Sequence, residues 1–343
     1  MVGKLVCYLI GFSLLAATIH ADRLQLCNQE GNLSKRCLNG HLFPPSSVSN
    51  SPFLTTDIGS GVHVQSGHTL DTSSKPYERH AAFSGGLNYD LQIAVLEWLS
   101  VFGGFSGGLL SGSGNDIFNL GIGREFDYSL GTRFLLWKNQ RFLISSSANF
   151  IGTGYTGLNL MNFATTASNL IVPIQACFNG PSKTADDKKA KKAACASINK
   201  ALTKFNYELG FNAEVVMAAG INPTMGFRTN LGYQQLFRSK TDASDFKGQV
   251  YGGIAFSIDI APITPIPIGF LFGAEYAYQL DNRPSEFFYL GALTLHGGIF
   301  YTGSQNFSIG LEVSDEIAPV GFGPVVDRSN MFSGSLNLRY YWN

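Results

Sequence analysis

From about residue 80 to the C-terminus, the chain repeats runs in which one parity is apolar and the other polar or small, with turn residues between them. A period of two marks strands that face an apolar medium on one side and a polar one on the other. In the last run Phe332, Leu336, Leu338, Tyr340 and Trp342 share one parity, and Ser333, Ser335, Asn337, Arg339 and Tyr341 the other. The same split runs through 117–136, where Phe118, Leu120, Ile122, Phe126, Tyr128, Leu130 and Phe134 oppose Asn119, Glu125, Asp127, Ser129 and Arg133. Arg124 breaks that pattern, which places it beyond the apolar band or beside a bulge. A further instance spans 267–281, with Ile268, Phe270, Phe272, Ala274, Tyr276 and Tyr278 against Gly269, Gly273, Glu275, Gln279 and Asp281.

Taken together, the runs predict strands over 53–65, 79–90, 94–110, 116–136, 141–159, 206–220, 224–238, 248–262, 267–281, 287–302, 306–316 and 329–343. The first is the weakest, because Pro52, Gly59 and Gly61 disfavour a strand. Twelve is an even number, as single-chain bacterial barrels require. The expected fold is all-β: a transmembrane antiparallel up-and-down barrel of about twelve strands, with a disulfide-bonded extracellular loop. Short connections at 138–140, 221–223 and 304–305 alternate with longer ones at 66–78, 160–205, 239–247 and 317–328. That asymmetry puts the short turns on the periplasmic side and the long loops outside. Trp98, Trp137 and Trp342 all fall near the short-turn ends, where interfacial aromatics collect.

Composition sharpens the picture. Charged residues make up 14% of the chain, against about a quarter in soluble domains. Glycine (39), phenylalanine (27) and tyrosine (14) are abundant. An apolar outer face turned to lipid explains the missing surface charge. The N-terminus reads Lys4, then the apolar run Leu5 to Ile19 and Ala21, the layout of a secretory signal peptide over 1–21. Residues 22–52 carry Pro44-Pro45-Ser46-Ser47 and form either a loose periplasmic segment or a plug, and 53–343 form the barrel. The expected location is a bacterial outer membrane. Outer-membrane lipid, lipopolysaccharide, the outer-membrane assembly machinery and small solutes are the expected partners. Net charge is zero, so nucleic acid is not among them.

The cysteines left after cleavage form two locally spaced pairs, Cys27 with Cys37 and Cys177 with Cys195. In an oxidising compartment these suggest two disulfide loops, although four cysteines allow three connectivities. Neither spacing suits zinc, and no metal or cofactor is expected. The segment 160–205 holds Lys183, Lys188, Lys189, Lys191, Lys192, Lys200 and Lys204, and Ala185–Ala196 has helix-forming composition. It is either a solvated extracellular cap or an electrostatic attractor of anions at the pore mouth.

Strand parity assigns charges to the lumen: Glu125, Asp127, Glu208, Glu214, Asp259, Glu275, Asp281 and Glu312, with Arg133, Arg141, Arg228, Arg238 and Arg339. On the lipid face near mid-bilayer each would cost up to several kcal/mol. Acids outnumber arginines, which points to a slightly cation-preferring interior. The same groups are equally suited to a network that stiffens and partly fills the barrel. Catalysis is not expected. No histidine stands two residues before a serine, as same-face proton transfer on a strand requires. Asp57, His63, His68 and Asp71 have no spacing that demands a catalytic couple, and His296 suits a hydrogen bond in the lumen.

The stretches Phe83-Ser-Gly-Gly-Leu-Asn-Tyr89 and Gly131-Thr-Arg-Phe-Leu-Leu-Trp137, with the strand that follows Arg141, resemble outer-membrane transporter barrels for aromatic and other hydrophobic compounds. The resemblance lies in strand rhythm and turn placement over 80–343. It implies passive passage of small solutes. The C-terminal alternation also resembles the assembly signal of outer-membrane proteins, except that Asn343 follows Trp342. Two other readings stay open: a surface-exposed structural or adhesive barrel acting through its lysine-rich loop, and a secreted soluble sandwich, which the paired faces disfavour.

Overall fold

The computed structural model describes residues 36–46, 51–71, 78–112, 122–158, 188, 191–192, 203–238, 246–280, 287–289, 291–322 and 325–342. Two short strands, β1 (Cys37–Leu38) and β2 (His41–Leu42), form a hairpin ahead of the main sheet. The main sheet contains β3 (Thr56–Asp71), β4 (Glu78–Leu96), β5 (Leu99–Gly112), β6 (Ile122–Lys138), β7 (Phe142–Leu158) and β8 (Thr203–Asn222). It continues through β9 (Met225–Arg238), β10 (Phe246–Asp259), β11 (Ile268–Leu280), β13 (Ala292–Tyr301), β14 (Phe307–Phe322) and β15 (Val325–Trp342). These twelve pair antiparallel with their neighbours in the chain, and β15 pairs with β3 from Trp342↔Thr56 to Asn330↔His68. The sheet is therefore a closed barrel with no free edge, the arrangement that lets strands satisfy every backbone group without water. A short β12 (Phe287–Tyr289) extends the line of β13 against β14.

Alternation decides what faces where. Along β4, Phe83, Leu87, Tyr89, Leu91, Ile93 and Val95 are exposed on the outer wall, while Ser84 and Gln92 point inward and are buried. Along β6 and β7 the exposed Tyr128, Leu130, Leu136 and Phe150 alternate with the buried Arg133, Ser145 and Ser147. The barrel is apolar outside and polar within, the reverse of a soluble domain. Trp98, Trp137 and Trp342 are all exposed at the short-turn end, joined there by Tyr340 and Phe307.

Several strand boundaries differ from the expected ones. β4 runs through residues 91–96 and turns at Glu97 and Trp98, because Ile93 and Val95 keep the outward parity with Gln92 and Ala94 inward. The first strand begins at Thr56 and continues to Asp71, so Gly59 and Gly61 within it are accommodated by pairing on both sides. The connection expected over 317–328 is mostly strand, since β14 reaches Phe322 and β15 starts at Val325. The single strand expected over 287–302 is broken: Gly291 has a φ of +114°, a left-handed conformation suited to glycine, and separates β12 from β13.

Residues 1–21, expected to be a leader, and Cys27, Cys177, Cys195, Asp281 and nearly all of 160–205 lie outside the described residues; Lys188, Lys191 and Lys192 of that loop are helical. Cys37 is disulfide-bonded, and its partner lies outside the described residues.

Candidate functional site

The hairpin of β1 and β2 sits inside the short-turn end of the barrel. Its two-residue turn is Asn39-Gly40, both with positive φ (50° and 76°), the geometry that Asn-Gly favours. Asn39 donates from its backbone N–H to the carbonyl of Gln140 at 2.7 Å and from Nδ2 to that of Ile221 at 2.8 Å. The tip is thus hydrogen-bonded to two of the short turns. His41, fully buried, places Nε2 2.7 Å from Ser257 Oγ and Nδ1 3.3 Å from the carbonyl oxygen of Pro223. This pattern suits the tautomer protonated at Nδ1, which donates to Pro223 and accepts from Ser257.

Apolar side chains anchor the same segment. Leu38, Phe43 and Phe53 are almost wholly buried against Leu143 of β7 and Ala218 of β8, both inward-facing. Burial of each large side chain contributes about 1.5–3 kcal/mol. Phe43 meets His41 edge-on at 4.7 Å and Phe53 at 5.4 Å between ring centroids. Two wall glycines leave room for the insert. A Cβ on Gly220 would stand 2.1 Å from the carbonyl oxygen of Leu38, and one on Gly226 would stand 2.5 Å from the His41 ring.

Arginines hold the two strands of the hairpin and the chain after it. Arg36 donates to the carbonyl of Phe43 (3.4 Å) and to that of Gln305 in the wall (2.8 Å), and its guanidinium lies 3.6 Å over the Tyr341 ring. Burial draws its pKa below the ordinary arginine value, against the opposing pull of Tyr341 and Asp57. From β9, Arg228 donates to the carbonyl of Pro44 at 2.7 Å.

Of the charges assigned to the lumen, Glu125, Asp127, Arg133, Glu208, Glu214, Arg228, Asp259, Glu275, Glu312 and Arg339 stand on the inward parity of their strands. Arg141 stands exposed in the turn before β7, and Arg238 is the last residue of β9. Arg339 forms an ion-pair bridge between strands, donating to Asp57 of β3 at 2.6 Å and to Asp90 of β4. Arg133 donates to Gln92, whose Nε2 in turn donates to the carbonyls of Phe53 (2.8 Å) and Thr55 (3.0 Å). Asn230 donates to Glu214, Asn337 to Glu312, and Thr302 to Asp259.

Directly against the hairpin is a cavity of about 280 Å³, whose lining includes Arg36, Arg133, Arg228, Arg339 and Asp90. A second cavity of about 360 Å³, bordered by Asn88, Ser106, Asp127, Thr153 and Gln234, shares Asp90, Gly104 and Ser129 with the first. Among the described residues the lumen is therefore hollow along this side and filled at the short-turn mouth, with Tyr89, Phe105, Tyr128, Ile151 and Leu236 also bordering the second cavity. Sequence reading assigned no wall contact to Arg36, Asn39, His41 or Phe43. The Asn39-Gly40 pair was the available signal for the turn, whereas the docking partners are remote in sequence.

No protein-family model and no curated protein matches the chain. Solved structures of similar fold include an outer membrane channel from Pseudomonas putida F1 (TM-score 0.48, 10% identity, covering 88% of this chain and 100% of that one). Another is the transport unit of the autotransporter AIDA-I from Escherichia coli (TM-score 0.46, 12% identity, 89% and 95%). A third is the P. putida toluene transporter TodX (TM-score 0.40, 10% identity, 86% and 93%). What they share with this chain is the barrel fold.

Proposed function

We propose that this chain is a bacterial outer-membrane channel for passive passage of small solutes, closed from the periplasmic side by its own N-terminal hairpin. The observation that carries this reading is the hairpin lodged in the short-turn mouth of a hollow, polar-lined barrel whose outer wall is apolar. The outward residues supply the surface that lipid covers, and the exposed tryptophans mark one interface. Two cavities that share lining residues supply a route that ends at the hairpin, so passage requires the hairpin to move. Lipopolysaccharide and the assembly machinery are the partners that such a location brings. Passage of hydrophobic solutes is the finer form of the proposal.

Single-channel conductance of the refolded mature protein in planar bilayers, with and without residues 22–52, tests it. Stepwise conductance that grows or appears on truncation is the expected result. Silence from both forms, with folding verified by heat-modifiable gel mobility, refutes an ion-conducting channel and favours a closed barrel acting through its outer loops or a narrow route for hydrophobic solutes.

A further inference from the structure

The cavity against the hairpin has an unusual charge arrangement. Arg133 and Arg228 are 3% and 2% exposed. A guanidinium carries five N–H donors, yet the acceptors that these two meet among the described residues are neutral: the Gln92 side chain for Arg133 and the Pro44 carbonyl for Arg228. Nε of Arg133 is buried with no acceptor among the described residues. Each also lies over an aromatic face, Arg133 at 4.9 Å from the Phe102 ring and Arg228 at 5.9 Å from that of Phe43.

Arg36 likewise donates to backbone carbonyls and stacks on Tyr341. Among the described residues only Arg339, held by Asp57 and Asp90, has direct carboxylate partners in this lining. Glu214 and Asp57 act on Arg133 through space, and Glu312 on Arg228, which limits the positive potential without filling the donors. A buried cation whose N–H groups lack acceptors is costly, and an oxyanion beside it supplies both charge and lone pairs.

We propose that this cavity is an oxyanion site, taking a small carboxylate or phosphate between Arg133 and Arg228 of the wall and Arg36 of the hairpin. Its 280 Å³ equals the volume of roughly nine liquid waters, enough for an anion of benzoate size. Phe102 and Tyr341 give such an anion apolar walls. The site goes beyond the channel reading, because binding is measured in detergent without any flux.

Isothermal titration calorimetry of the full mature protein tests the proposal, with sodium benzoate in one arm and inorganic phosphate in the other, at constant ionic strength in chloride. Saturable binding of either anion is expected, weakened roughly ten- to a hundredfold in Arg133→Gln and unchanged in Arg141→Gln at the exposed turn. The arm that binds identifies the anion class. If Arg133→Gln fails the heat-modifiability check for folding, Arg228→Gln is measured against the same prediction. Absence of saturable binding in both arms, undiminished affinity in the cavity variant, or equal weakening in Arg141→Gln overturns it. Loss of conductance in the channel assay leaves this result untouched, so the two ideas fail separately.

Discussion

Phe43→Ala separates the hairpin from the barrel without touching a strand. Phe43 is 1% exposed and packs between His41, Phe53, Leu38 and the wall. Truncating a buried phenylalanine to alanine costs about 3–5 kcal/mol, transfer and cavity terms together. The lost atoms contact the docked hairpin, Phe53 and the inner wall, so the penalty falls on docking and the strand ladder keeps its pairing. At 1.4 kcal/mol per decade, the undocked population rises between about 150-fold and about 4,000-fold. Single-channel recording is the assay, with limited proteolysis of residues 36–46 in the folded barrel as the direct readout of undocking. The expected variant opens more often and is cleaved faster. A folded variant with wild-type open probability and wild-type protection refutes the assignment of Phe43 as the anchor. Faster cleavage with unchanged conductance refutes the hairpin as the gate.

Gly226→Val should undock the same segment, because even a Cβ there stands 2.5 Å from the His41 ring and 2.7 Å from that of Phe43; accelerated proteolysis of the hairpin with normal heat-modifiable mobility checks it. Leu130→Arg places a cation on the outer wall, where Leu130 is 61% exposed; refolding stability in bilayers should fall by about 2–4 kcal/mol if that wall lies near mid-membrane. Arg339→Gln removes the cation shared by Asp57 and Asp90 and leaves Asp57, 1% exposed, without its charged partner. Equilibrium unfolding should show a loss of about 3 kcal/mol or more, smaller in the triple variant that also carries Asp57→Asn and Asp90→Asn.

Strand alternation is local information, and it was enough for the barrel. Every strand meets one apolar and one polar medium, so each carries the period of two by itself, and Phe332 to Trp342 or Tyr128 to Phe134 reveal it without reference to partners. The inward placement of Arg133, Glu214, Glu275 and Arg339 follows from the same rule. Boundaries were less legible where alternation ran on past a turn-like residue, as at 91–96 and 317–322.

Only the tertiary structure decided what closes the lumen. The hairpin is held by contacts whose partners lie far away in the chain, 269 positions from Arg36 to Gln305 and 184 from Pro44 to Arg228. No periodicity in residues 36–46 encodes such partners, and Asn39-Gly40 announces a turn but not where the turn docks. The cation-preferring interior inferred from the charges that parity assigns to the lumen has a local counterexample for the same reason. Acids outnumber arginines over the assigned lumen positions, yet barrel closure and the inserted Arg36 bring four arginines to one cavity. Parity tells each residue which side of the wall it faces; only closure of the ring and seating of the hairpin determine what it faces there.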